Sequence, residues 1–198
     1  MVAIVAGAVL VVLAPAGSGR LAAAIYAVSL CGMLGASAAY HRLQRLSPVW
    51  RTWLQRLDHS MIFVLVAGTT TPFALLLLDG AASAVVLGVV WGGALLGVVF
   101  AAAWPSAPTW LRAALYVALG WGAAASAPGM IAAAGIAPVV LLAIGGVLYT
   151  VGAVVYVAQR PDPAPAVFGY HEVFHVFVIA AAVVHFAAVA AYALPAAA

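Results

Sequence analysis

This sequence has little charge. Only 6% of its 198 residues are charged, four acids against seven bases. All seven bases are arginine, and lysine is absent. A chain this poor in charge cannot cover the surface of a soluble domain. The seven arginines form no basic run, so no nucleic-acid partner is expected. Cys31 is the single cysteine, which excludes an intrachain disulfide and leaves the redox compartment unread. What the chain has in abundance is apolar sequence: 68% of residues are hydrophobic and the mean hydropathy is +1.23.

Apolar runs of about 18 residues or more read as transmembrane helices, because roughly 20 residues span the hydrocarbon core. The expected fold is therefore an all-α membrane protein, a seven-transmembrane helix bundle in a single domain over 1–198. Continuous apolar runs argue against a β-barrel, whose strands alternate. The spans fall at about 1–14, 21–41, 57–78, 81–103, 111–127, 136–158 and 168–193. They are separated by APAGSGR, RLQRLSPVWRTWLQR, LDG, WPSAPTW, APG and QRPDPAPA, which carry turn and breaker residues. The first run is short, about 20 Å of helix. It resembles a signal-peptide core, but no positive charge precedes it, so it is expected to remain as a short first helix.

Arginine placement orients the bundle. Arg42, Arg45, Arg51, Arg56, Arg112 and Arg160 fall in or beside one set of loops, and Arg20 falls on the other side. Basic residues favour the cytoplasmic face, so the N-terminus is expected cytoplasmic and the C-terminus outside. Trp50, Trp53, Trp104 and Trp110 flank the same loops as an interfacial belt. Gly88, Gly92, Gly93 and Gly97 form two small-xxx-small pairs, read as helix-packing positions. Thr69, Thr70 and Thr71 precede Pro72, where a kink is expected with the threonine hydroxyls serving the freed backbone.

Ionisable groups inside a membrane are costly and mark function. On the expected topology, His41 closes the second span, Asp58 and His59 open the third, and His171, Glu172 and His175 open the seventh. All lie near the inner leaflet. His171 and His175 are four residues apart, hence on one helix face. His41 supplies a third imidazole at the same depth, with Ser37 one turn above it and Asp58 on the neighbouring helix. Three histidines with an open fourth position suit a catalytic zinc, which lowers the pKa of water to about 7. Asp58 could deprotonate that water or orient a histidine.

Plainer readings stand beside these. His41 could reach for headgroups, and Asp58 could cap its helix or pair with Arg56. His59 would face another helix or the headgroups. His185 lies about 21 Å deeper than His171, too far for the same metal, and reads as a hydrogen-bonded cavity residue. HEVFH also matches the H-E-x-x-H protease motif, with Glu172 as would-be base.

Ser37-Ala-Ala-Tyr40-His41, Asp58-His59-Ser60 and His171-Glu172-Val173-Phe174-His175, in that order, resemble the hemolysin III family. That family comprises bacterial relatives of the adiponectin and progestin receptors. The resemblance implies seven helices in the bacterial plasma membrane and zinc on His41, His171 and His175. It implies Ser37 and Asp58 beside the metal, and kinship with ceramidase-like membrane hydrolases. This chain departs at its N-terminus, where family members carry a longer leading segment. The function expected is zinc-dependent hydrolysis of a lipid amide or ester, with membrane lipids as partners and an acyl chain lodged between helices. The alternatives are a receptor-like sensor with structural zinc, an intramembrane metalloprotease using Glu172, and a pore-forming cytolysin.

Overall fold

The computed structural model describes residues 1–43 and 45–197. Position 44, in the second loop, and position 198, the last residue of the domain drawn from sequence, lie outside the described residues. The described chain is helical: α1 (Val2–Leu13), α2 (Ser18–Arg42), α3 (Pro48–Leu77), α4 (Gly80–Ala103), α5 (Thr109–Gly122), α6 (Ala127–Ala134), α7 (Ile136–Ala158) and α8 (Tyr170–Ala188). Six helical stretches are long and apolar enough to cross a membrane, with α5 and α6 counted as one and α8 continuing to Ala197. The shorter α1 covers about 18 Å at the usual rise. It packs on α2, where Gly7 meets Ala27 and Cys31.

Two helices run further than their apolar stretch alone indicates. From sequence the third span opens near residue 57, but α3 begins at Pro48. A proline in the first turn has no intrahelical N–H to lose and its φ already suits a helix. The added turns carry Arg51, Trp53 and Arg56 at the rim, with Arg56 stacked over the Trp53 ring at 4.8 Å. From sequence the fifth span ends near 127 at Ala-Pro-Gly. The helical path instead passes through a 3₁₀ turn, Ala123–Ser126, into α6. Pro128 again falls in a first turn, so it starts α6 rather than stopping the chain.

Helix α3 is the axis of the bundle, packed between α2 and α4. It stays helical across Pro72, which supplies no N–H of its own. Around it the Thr70 hydroxyl donates to the Val66 carbonyl at 2.9 Å and Thr71 to Ala67 at 2.8 Å. The Trp91 indole on α4 donates to Thr71 Oγ1 at 3.1 Å. Tyr26, Phe73 and Val189 are fully buried in the centre. The last turns, Val189–Ala197, pack on α2 and α3 and so join the end of the chain to its early helices.

The glycines of α4 divide into two kinds. Gly93 lies against Leu119 and Gly97 against the Phe63 ring, so a methyl at either would collide. Gly88 and Gly92 face open space. Gly97→Ala is therefore expected to lower stability by about 1–3 kcal/mol through overpacking. Gly88→Ala should be neutral, or gain up to about 1 kcal/mol from helix propensity. Thermal unfolding of the two variants in detergent checks this, and equal melting would contradict the α3–α4 packing.

Candidate metal centre

Residues far apart in sequence meet at one end of the bundle. His41 lies in the last turns of α2, and His171 and His175 in the first turns of α8. The chain turns into α8 abruptly, and two of its four acids hold that turn. The Gly169 N–H donates to Glu172 Oε2, and the Tyr170 N–H to Asp162 Oδ1, each at 2.9 Å. These bonds satisfy backbone donors that a helix start otherwise leaves unpaired. They also fix the direction in which His171 and His175 leave the helix. Tyr156 packs against the His171 ring at 5.6 Å, Phe174 against His175 at 5.1 Å and Tyr40 against His41 at 5.0 Å.

The imidazole nitrogens are crowded together. His171 Nε2 lies 3.3 Å from His41 Nε2 and 3.0 Å from His175 Nε2. One ligating nitrogen from each ring falls within 4.8 Å of the others. A neutral ring nitrogen carries either one proton or one lone pair. His171 Nε2 can therefore serve both contacts only by sharing one proton or one lone pair between them. A shared cation would let every nitrogen present a lone pair to it. Tetrahedral ligands about 2.0–2.1 Å from an ion stand roughly 3.3 Å apart, close to both separations. The three histidines fit a transition-metal site.

Asp58 and Ser37 border the same place. Ser37 and His41 both neighbour the Asp58 carboxyl. Both residues line a cavity of about 750 Å³ that also takes in His41, His171 and His175. Most of its wall is apolar, with Met33, Leu65, Phe73 and Val178 among its members. A second cavity of about 280 Å³ is lined instead by polar groups, among them Tyr40, Arg51 and Gln55. His41, Asp58, His59, Tyr156, His171 and Glu172 line both.

The remaining residues singled out from sequence fall differently. Glu172 points to the helix cap, so its carboxylate is engaged by the Gly169 backbone. His59 is buried in the cavity wall, and its Nδ1 has no hydrogen-bond partner among the described residues. His185 is buried deep in the bundle and bonds to the Leu142 carbonyl at 3.1 Å. Arg112 is the residue that sequence reasoning missed. The topology counts it at the edge of a loop, yet it is buried in α5, lines the larger cavity and donates through Nη1 to the Pro105 carbonyl at 2.9 Å. The available signal is its place two residues inside an apolar run, LRAALYV.

Comparison with known proteins gives the same family that the three motifs resemble. A family model described as Haemolysin-III related matches residues 1–186. The "Hemolysin-3 homolog" of Bacillus subtilis (strain 168) is 34% identical over 126 residues, which cover 64% of this chain and 56% of that protein. This match thus spans little more than half the length of that relative. "Hemolysin-3" of Bacillus cereus is 28% identical over 187 residues, covering 90% of this chain and 78% of that protein. With a family model matching nearly its whole length and six helices fit to span a bilayer, the chain belongs to the Haemolysin-III related family of multi-pass membrane proteins.

Proposed function

We propose that the protein is a zinc-dependent hydrolase of a lipid amide or ester, in the bacterial plasma membrane, with its site near the cytoplasmic leaflet. One observation carries this reading: His41, His171 and Asp58 line both an apolar cavity and a polar one, and His175 completes the histidine cluster from the apolar side. An amphiphile in that space would keep its acyl chain in the larger cavity and its polar portion in the smaller. Its carbonyl would then fall between them, beside the histidines. A volume of about 750 Å³ is within the range of small-molecule sites. The end of the bundle that carries the histidines also carries the arginine-rich loops, which favours the cytoplasmic side.

His41, His171 and His175 would hold zinc, which when bound supplies a Lewis acid for the carbonyl and acidifies a water. Neutral imidazoles suit such an ion and burden the bilayer less than carboxylates do. Asp58 then acts as general base. Its carboxylate takes a proton from water as the oxygen attacks the carbonyl carbon. It returns that proton to the departing nitrogen or oxygen as the C–N or C–O bond breaks. The products are a carboxylic acid and an amine or alcohol. Ser37, a neighbour of the same carboxyl, positions it. The engagement of Glu172 in the α8 cap weighs against a protease in which that residue is the base.

Two substitutions separate these roles. Asp58→Asn is expected to lower fatty acid release from N-acyl lipids by about 10²–10⁴-fold, the usual share of a general base, with zinc content kept. Mass spectrometry of the lipids and of the metal reads both. Stoichiometric zinc with no turnover of any lipid by the wild type would overturn the enzymatic reading. Glu172→Gln preserves the capping pattern, since glutamine also serves at that position, and should retain activity and melting temperature. Loss of activity in Glu172→Gln beside full activity in Asp58→Asn would favour the protease.

A further inference from the structure

We infer that the deep end of the larger cavity is a hydrogen-bonding subsite, built by His185, for an acyl chain bearing a hydroxyl group near its twelfth carbon. This rests on reading that cavity as the acyl site. His185 follows His175 by ten residues on α8, about 15 Å along the axis. Both side chains line the same cavity, so it runs from the metal centre to this second imidazole. At 9% exposure His185 is more than nine-tenths buried.

Its chemistry there is defined. Nε2 lies 3.1 Å from the Leu142 carbonyl oxygen. A carbonyl only accepts, so Nε2 carries the proton, and Nδ1 is left with a lone pair. Among the described residues that lone pair has no hydrogen-bond partner, on a side chain that faces the cavity. An acceptor left unpaired in hydrocarbon is unfavourable, and a ligand with one donor relieves it. The seat is also fixed. The ring occupies the space beside Gly145 that any side chain there would fill. The Tyr149 ring, which lines the same cavity, packs against it in an edge-type contact, centroids 5.6 Å apart. An imidazole wedged between α7 and α8 can read one position on a chain rather than follow it.

The distance selects that position. An extended chain advances about 3.6 Å over three covalent bonds, so about 12 bonds cover about 15 Å. A hydroxyl at that point donates to Nδ1, in a cavity whose wall is otherwise mostly apolar. A hydroxyl next to the carbonyl lies at the metal centre and leaves His185 unpaired.

Equilibrium binding to the purified full-length protein tests this with octadecanoate and its 2-, 6- and 12-hydroxy derivatives. The wild type should bind the 12-hydroxy chain up to about tenfold more tightly than octadecanoate, the scale of one neutral hydrogen bond. The 2- and 6-hydroxy chains should gain no such preference. In His185→Phe the ratio of 12-hydroxy to octadecanoate affinity should fall to about one. The isomer series in wild type decides the matter even where that variant fails to fold. Equal affinity for all isomers, or an unchanged preference in His185→Phe, would overturn the subsite. A hydrolase without positional preference defeats this inference alone. Positional preference in a protein that hydrolyses no lipid leaves it standing and defeats the enzymatic reading. If no chain binds the wild type, the acyl cavity falls and the subsite with it.

Discussion

Three imidazole nitrogens crowd within 4.8 Å of one another, and one of them lies within hydrogen-bonding distance of both others. His171 Nε2, near both His41 and His175, has one proton or one lone pair and two neighbours. In water the surplus would be taken up by solvent. Here the three rings are half-buried, and His41 and His171 also line the smaller, polar cavity. A cation shared by the three would meet the same need. The rest of the site is arranged around this point: the aromatic rings of Tyr40, Tyr156 and Phe174 packed on the histidines, the capped start of α8, and the carboxyl of Asp58 on α3.

The fold serves this point by bringing the end of an early helix to the start of the last one. α2 and α3 pack together and carry His41, Ser37 and Asp58, while α7 and α8 pack together and carry Tyr156, His171 and His175. The final turns of the chain return to α2 and α3 and tie the two halves. Between the halves lies the larger cavity, with Phe73 on α3 and Val178 on α8 in its wall. Two of four acids are used on one helix start, which shows how narrowly that start is specified.

Much of this was legible in the sequence, and for identifiable reasons. Apolar run length announces helices in a membrane, because no other continuous structure satisfies its backbone there. Four-residue spacing put His171 and His175 on one face, and topology brought His41 to their depth. What escaped was set by local or tertiary context. The polar start of α3 reads as loop by hydropathy, though Pro48 suits a first helical turn. Arg112 looks like a rim arginine until the packing of α5 shows it buried against the Pro105 carbonyl. Glu172 matches a protease motif by pattern, while its geometry is that of a cap. A one-dimensional motif cannot tell these two uses apart.

X-ray absorption at the zinc edge, on protein purified without added chelator, addresses the central claim most directly. The account predicts about one zinc per chain with three nitrogen ligands near 2.0–2.1 Å and outer-shell scattering from imidazole rings. In His41→Ala one of those imidazoles should disappear from the spectrum as affinity falls. A metal-free protein, or an unchanged zinc environment in His41→Ala, would contradict it.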